Sequence, residues 1–192
     1  MPGLGGITAT PARMLLGPAN IWVGVTVPTT GTQLSLTSGA PADGTNIGAT
    51  ASAATFVFTP TVHEFMVEQA LSPIDFAATV EAASIDFDVI ETVGLNLSKL
   101  LQGSTAVASG STQWVYGGGT LQPPSQSVVL IHPRRDVAKY SYILLYKAFI
   151  KDAITIPFSR TAPTTWKVKL TALADITRAV GDQLYQVVPQ TN

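Results

Sequence analysis

The chain has 192 residues, a formal net charge of −1 and a charged fraction of 12%, roughly half the ~25% typical of soluble domains. A single domain of this length can bury a sizeable core, and the absence of cysteine excludes disulfides, thiolate metal sites and cysteine nucleophiles. No run of about 20 apolar residues occurs, which excludes a conventional membrane-spanning helix.

Charge is divided along the sequence. Residues 14–98 hold eight carboxylates and no Lys or Arg, whereas from Lys99 onward ten basic residues accompany four acids. If the two halves fold onto different faces, copies of the chain can join head to tail, and such contacts build rings or helical stacks. Alternatively, the halves interleave in one sheet and neutralise each other within the monomer.

The first predicted strand covers residues 19–25. It is followed by segment 28–55, which contains four Gly, two Pro and a single charge, Asp43. A stretch this long without a predicted element is typical of a functional or disordered segment. It is interpreted as a long hairpin or arm that becomes ordered only against a neighbouring copy or, alternatively, as a flexible surface loop. For an arm, deletion should leave the domain folded.

Further strands are predicted at 56–58, 64–68 and 74–89. Apolar and acidic residues alternate over 85–89, which indicates one buried and one solvated face. A helix is predicted at about residues 89–102, where apolar residues recur at helical spacing. Asp88 and Glu91 are three apart, as an N-cap and its returning carboxylate would be, and Gly103 is a candidate helix stop.

The later strands are predicted at 127–131, 140–146, 153–158, 166–171 and 184–188. The run 140–146 is apolar on both faces and is therefore expected to be covered on both sides. Seven to nine strands with one helix predict a mainly β fold, a β-sandwich or barrel with a flanking helix, in a single domain spanning 1–192.

No pattern typical of catalysis is evident. Asp86 and Asp88 share a solvated strand face without a neighbouring His or Asn, so a metal site is not favoured. Neither His63 nor His132 accompanies a nucleophile-elbow pattern. Gly117 to Gly119 are interpreted as a turn, since the Lys-Ser/Thr of a phosphate loop is missing. We therefore predict no enzyme activity and no cofactor.

The block 76–97, a β-strand running into a helix, resembles the corresponding block of phage tail tube (major tail) proteins. Residues 17–24 are similar to the first strand of that family. Residues 140–149, 154–160 and 166–175 are similar to its closing strands. The resemblance covers most of the chain except 28–55 and 103–120.

The resemblance implies a β-sandwich subunit whose copies, usually six, merge their sheets into a ring. Stacked rings form the tube through which viral DNA passes without specific binding, and segment 28–55 is the candidate contact between rings. The partners implied are tail terminator, tape-measure and baseplate or tip proteins. The implied location is the virion tail, after synthesis in the bacterial cytoplasm, without a membrane.

Two sets of charged residues are the candidate site residues under this interpretation. Acidic side chains that would line the lumen are Glu64, Glu68, Glu81 and Asp86. Basic side chains that would contact a neighbouring subunit are Arg134, Arg135, Lys139, Lys167 and Lys169. These basic residues, together with Lys147 and Lys151, could form a nucleic-acid patch, but the acidic half of the chain disfavours specific binding.

Two alternative functions remain open from the sequence. The first is a non-catalytic β-sandwich on a virion or cell surface that binds carbohydrate or a receptor through aromatic residues such as Trp114 and Tyr116. The second is a hydrolase that uses Glu81, Asp86 or Glu91.

Overall fold

The computed structural model describes residues 19–48, 50–66, 72–90, 94–109, 112–119, 124–133, 139–156 and 164–189. Within these ranges the chain forms twelve strands and one helix, α1 (Gly94–Leu100). The strands are β1 (Asn20–Val23), β2 (Leu36–Thr37), β3 (Ala40–Pro41), β4 (Thr45–Asn46), β5 (Thr55–Phe65), β6 (Asp75–Val89), β7 (Ser104–Ser109), β8 (Thr112–Gly117), β9 (Gln126–Pro133), β10 (Tyr140–Ile150), β11 (Trp166–Leu173) and β12 (Tyr185–Val188). The predicted mainly β fold is confirmed.

Eight strands form one antiparallel sheet in the order β4-β1-β9-β10-β11-β6-β5, with β12 also paired to β10. Strand β10 is the centre of this sheet. Its first half pairs with β9 on one side and β12 on the other, and its second half pairs with β11. The hairpins β2–β3 and β7–β8 form two small separate sheets.

The large sheet is strongly curved. Strands β4 and β6 would be about 24 Å apart in a flat sheet, at five spacings of roughly 4.8 Å. However, Thr50 forms a bridge to Val89 of β6 only four residues after Asn46, the last residue of β4. Four residues span at most about 14 Å. The two ends of the sheet must therefore approach each other, as in a barrel or sandwich.

Both faces of the central strands are covered. Along β9, Val128 and Leu130 belong to one apolar cluster, whereas Val129 and Ile131 belong to a second cluster. Strand β10 likewise contributes side chains to both clusters. The prediction that residues 140–146 are covered on both sides is confirmed.

The alternation at the end of β6 also predicted burial correctly. Ile85, Phe87 and Val89 are buried, while Asp86 and Asp88 between them are half-buried. In β11, Trp166, Val168 and Leu170 are buried, and the intervening lysines are exposed.

The helix is shorter than predicted, and Asp88 is not its N-cap. Asp88 still lies in β6, opposite Lys167 of β11, and it accepts a hydrogen bond of 3.0 Å from the Ser52 hydroxyl. Pairing with β11 keeps the chain extended to Val89, so the helical stripe cannot begin there. Glu91, the other predicted cap residue, lies outside the described residues.

The helix terminus agrees with the sequence. Leu100, in the last turn, is buried at 2% exposure. Gly103 adopts a φ of 81°, and the Ser104 N–H donates to the Leu101 carbonyl at 2.9 Å, so the chain turns at Gly103.

Three strand predictions were incomplete or wrong. Residues 56–58 and the described part of 64–68 belong to one continuous strand, β5. Residues 153–156 form no strand, and the rest of the predicted strand 153–158 lies outside the described residues. The hairpin β7–β8 was not predicted.

Segment 28–55 folds back onto its own sheet. Leu34 and Ile47 are buried in the two apolar clusters. The Leu34 N–H donates to the Tyr142 hydroxyl at 2.7 Å. Gly39, with a φ of 81°, lies so close to Tyr140 that an added Cβ would be 2.4 Å from the ring. The described part of the segment is therefore neither a free arm nor a flexible loop, and its deletion would remove core side chains.

Within the described ranges, no helix has the length and apolarity that a membrane crossing requires.

Candidate functional site

A two-stranded ribbon extends beyond the curved sheet. Strand β11 pairs with β6 only from Ser84 to Val89, so the preceding part of β6 pairs only with β5. We define the ribbon as residues 57–65 of β5 and 75–82 of β6. At its end the Ile74 N–H donates to the Phe65 carbonyl at 2.9 Å.

All residues of the ribbon are exposed, including many large apolar side chains. Val57 and Phe58 are adjacent and therefore point to opposite faces, yet they are 39% and 38% exposed. The exposed apolar residues of the ribbon and its tip are Val57, Phe58, Val62, Phe65, Met66, Ile74, Phe76 and Val80. So many exposed large apolar side chains on one short two-stranded unit favour an interaction surface.

The outer edge of β5 is open. Strand β5 stands at the end of the sheet and pairs only with β6 among the described strands. Pro60 lies within it, and proline is tolerated in a sheet mainly at an edge. An open edge presents unpaired N–H and C=O groups that can pair with another chain.

A groove runs along the base of the ribbon. Tyr185 of β12 makes edge-to-face contacts with Phe56 and Phe58, at centroid distances of 5.3 and 5.4 Å. The cavity beside these rings measures about 510 Å³, and its lining includes Val80, Glu81 and Val180. Glu81 therefore places a carboxylate at the margin of an apolar groove.

The structure divides the predicted acidic residues between two places. Glu64 and Glu81 are exposed on the ribbon. Asp86 is half-buried in the sheet, opposite Lys169 of β11. Glu68 lies outside the described residues. A lumen-facing role for these side chains stays a prediction.

The predicted basic residues partly meet acidic ones within the same chain. Lys167 and Lys169 lie opposite Asp88 and Asp86 in the β6–β11 pair, so the acidic and basic halves of the sequence interleave there. The Lys169 ammonium is also 3.9 Å from the Asp152 carboxylate. Full separation of the charges onto two faces is therefore not observed.

The remaining predicted basic residues are less informative. Lys139 is half-buried directly before β10. Arg134 and Arg135 lie outside the described residues. Contact of the basic residues with a neighbouring subunit stays a prediction.

The loop between β11 and β12, residues 174–184, is held by a charged cluster that sequence reasoning missed. The Tyr146 hydroxyl donates to the Asp182 carboxylate, and the Arg178 guanidinium bonds the same carboxylate at 2.8 Å. That guanidinium also lies 3.8 Å above the Tyr146 ring. Burial, followed by the hydrogen bond to Asp182, raises the pKa of Tyr146. The spacing of Arg178 and Asp182 is the only sequence signal, because Tyr146 is 32 residues away from Arg178 in the chain.

Asp175 anchors the start of this loop. Hydrogen bonds from the Thr177 hydroxyl at 2.7 Å and the Lys147 ammonium at 2.9 Å lower the pKa of Asp175 to about 2. Ile176 and Val180 of the same loop are 83% and 95% exposed.

The groups considered for catalysis are not brought together. Glu81 and Asp86 are five residues apart on β6 and so point to opposite faces. His63 packs edge-to-face on Phe65 at 5.1 Å. His132 is half-buried at the end of β9, with its Nδ1 2.8 Å from the Pro133 carbonyl. In the part of the chain that the structure describes, no three metal-ligating side chains cluster.

The aromatic residues of the alternative binding function are exposed. Trp114 and Tyr116 are 44% and 59% exposed and, being two apart on β8, share one face of the β7–β8 hairpin.

Comparison with protein-family models gives no match for this chain, and comparison with curated protein sequences gives none either.

Proposed function

We propose that this chain is a structural virion protein, the repeating subunit of a phage tail tube, and that it has no enzyme activity. The observation that supports this most directly is the ribbon, which is apolar on both faces and open at its edge. The resemblance of residues 76–97 to tail tube proteins includes part of β6, which forms one side of that ribbon.

The physical reason for self-association is the marginal stability of a two-stranded ribbon in water. When a second sheet pairs with the ribbon, exposed apolar side chains become buried and the open strand edge forms hydrogen bonds. Both changes stabilise the assembled state. If the ribbon of one copy joins the sheet of the next, the contact uses different surfaces on the two copies. Repetition of such a contact closes a ring or continues as a helix.

In this proposal the copies form rings, with six the expected number, and the rings stack into a tube. DNA passes along the lumen without specific binding, because carboxylates such as Glu64 and Glu81 would repel its phosphates. Terminator, tape-measure and baseplate or tip proteins are the proposed partners, and the virion tail is the proposed location.

Electron microscopy of the purified protein, together with sedimentation velocity over a range of concentrations, tests the proposal. We expect rings or tubes on the order of ten nanometres wide, the size of about six domains in a circle. A species that stays monomeric at high concentration would contradict it.

The second candidate function is a binding module on a virion or cell surface, favoured by the exposed face of Trp114 and Tyr116. Such a module predicts a rise in melting temperature with an oligosaccharide or receptor ligand, because ligands that bind only the folded state stabilise it. It also predicts that Trp114→Ala abolishes this rise while leaving the oligomeric state unchanged.

A further inference from the structure

Loop 174–184 has an inverted distribution of polarity. Its charged side chains are held against the body of the protein, with Arg178 only 8% exposed, while Ile176 and Val180 point almost fully into solvent. Isolated surface apolar residues are common. Two large ones at 83% and 95% exposure, on one short loop, are unusual for an ordinary turn.

The loop is rigidly held despite this exposure. The Arg178 N–H donates to the Asp175 carbonyl and the Asp182 N–H to the Ala179 carbonyl, each at 3.0 Å. The Gln183 amide donates to the Arg178 carbonyl at 3.2 Å. Together with the Asp175 and Asp182 contacts to β10, these bonds fix the two apolar side chains in place. A preordered loop loses little conformational freedom on binding.

A groove suited to such side chains lies on the other side of β10. Its lining is mainly aliphatic and comes from α1, β8 and the end of β10. The apolar residues that line it are Leu100, Leu101, Val115, Ile150 and Ile154. It measures about 440 Å³. An apolar cavity of about 150 Å³ already accommodates benzene, so two branched side chains fit.

The groove and the loop flank β10 on opposite sides. The groove lies where the Gln102 side chain bonds the Ala148 carbonyl and the Ile150 N–H, beyond the last β9 pair at Gln126. The loop connects β11 and β12, which pair with the opposite edge of β10. Because Val180 is 95% exposed, the loop does not fill the groove of its own chain.

Charged side chains on both surfaces have ion-pair partners within their own chain. The charges of the loop are compensated in two ion pairs, Lys147 with Asp175 and Arg178 with Asp182. The one acidic residue that lines the groove, Asp152, is 3.9 Å from Lys169. Contact between the two surfaces therefore buries apolar area without introducing an uncompensated charge, which would be costly.

We propose that Ile176 and Val180 of one copy insert into the groove between α1, β8 and β10 of a neighbouring copy. This inference rests on the proposed function in one respect, the self-association of the chain. It names a contact made by loop 174–184, whose Val180 lines the groove at the base of the ribbon. Because loop 174–184 and the groove lie on opposite sides of β10, each copy presents both surfaces. The contact is head to tail and propagates.

Cysteine cross-linking tests the contact directly, since the chain has no native cysteine. The double variant Val180→Cys/Leu101→Cys places one thiol on the loop and one in the groove. Disulfides form only when the two Cα atoms are within about 7 Å. We expect oxidation to give a ladder of covalent oligomers on a non-reducing gel. The matched control, Val180→Cys/Thr105→Cys, places the second thiol on an exposed residue of β7 that does not line the groove, and it should give no ladder.

The variant Ile176→Ser/Val180→Ser provides the thermodynamic test. Its melting temperature as an unassembled subunit should equal that of the native protein, because both residues are exposed. The concentration at half-assembly should rise about tenfold or more, the factor expected for losing one or two buried aliphatic side chains from a contact. Val187→Ser, at an equally apolar exposed position on β12, is the control and should assemble normally.

The outcomes separate the two proposals. If the native protein assembles, the serine variant assembles equally well and no ladder forms, the loop contact is wrong while the tail tube function stands. If the native protein does not assemble at all, the proposed function is wrong and the contact between copies is wrong with it.

Discussion

The sequences of segment 28–55 and of the ribbon suggest that the first is exposed and the second is covered by its own domain. The structure shows the reverse. The segment is rich in Gly, Thr and Ser and was expected to reach a neighbour, but Leu34 and Ile47 bury it in its own domain. The ribbon consists of regular strands with alternating side chains, yet its large apolar residues remain at least 38% exposed, although Phe58 packs on Tyr185. Strand-like sequence thus forms the incomplete surface, and loop-like sequence completes the core.

This comparison shows that local pattern and tertiary cover are separate properties. Alternation of side chains predicts that residues 75–89 form a strand. The length of β11 decides how far along this strand its neighbour covers it. Strand β11 contributes its last residue to the β6 pairing at Thr171, opposite Ser84. Residues 75–82 of β6 therefore pair with β5 alone, and the apolar side chains of Phe76 and Val80 there remain exposed.

The largest expected effect comes from truncating an apolar side chain to alanine in segment 28–55, compared with a similar truncation in the ribbon. Ile47→Ala should lower the free energy of unfolding by about 3 kcal/mol, because Ile47 is fully buried in the core. Val57→Ala on the ribbon should cost about 0.5 kcal/mol in the unassembled subunit. Urea denaturation below the assembly concentration measures both. Equal costs would show that the segment does not contribute to the core as described.

The ribbon is expected to show the reverse behaviour in assembly. Phe76→Ser/Val80→Ser should raise the concentration at half-assembly about 100-fold, at roughly tenfold for each apolar side chain removed from a contact. Sedimentation velocity measures the shift, and Val187→Ser, at an exposed apolar position outside the ribbon, is the control. Normal assembly of the double variant would exclude the ribbon as the contact surface.

Much of the fold was predictable because burial and period are linked. The two-residue period at 85–89 and 166–171 predicted which side chains enter the core. The apolar run at 140–146 predicted cover on both faces. In each case the strand lies well inside the sheet, where the sequence alone specifies the environment.

The errors arise where distant parts of the chain decide the local structure. The stripe that begins at Ile90 favoured a helix from residue 89, but pairing of Val89 with Trp166 keeps the chain extended there. Residues 56–58 and 64–68 were predicted as two strands, although β5 continues through Pro60 at the sheet edge. The candidate site depends on exposure, on loop 174–184 and on the groove beside α1. Apart from the spacing of Arg178 and Asp182, these features depend on contacts between residues far apart in the sequence.

A smaller effect is expected from breaking the hydrogen bond between segment 28–55 and loop 174–184. Arg178 donates to the Pro28 carbonyl at 2.8 Å and is itself nearly buried. Arg178→Ala should therefore cost about 2 kcal/mol, the usual range for hydrogen bonds to a charged group. Hydrogen exchange should accelerate most at residues 28–34, where the Leu34 N–H bonds the Tyr142 hydroxyl. Equal acceleration in the ribbon would indicate global destabilisation instead of a local tie.

The smallest effect concerns acid stability and follows from Asp175. Hydrogen bonds from Thr177 and Lys147 lower its pKa from an ordinary 3.8 to about 2 in the folded protein. A group whose pKa is lowered by folding stabilises the fold above its unfolded pKa, and this contribution is lost as the pH falls toward the folded pKa. The native protein should thus lose stability between about pH 4 and pH 2 more steeply than Asp175→Asn. Urea midpoints measured from pH 6 to pH 2 for both proteins test this. Parallel curves would mean that Asp175 is not held by these contacts, and that loop 174–184 lacks the rigidity on which its exposed Ile176 and Val180 depend.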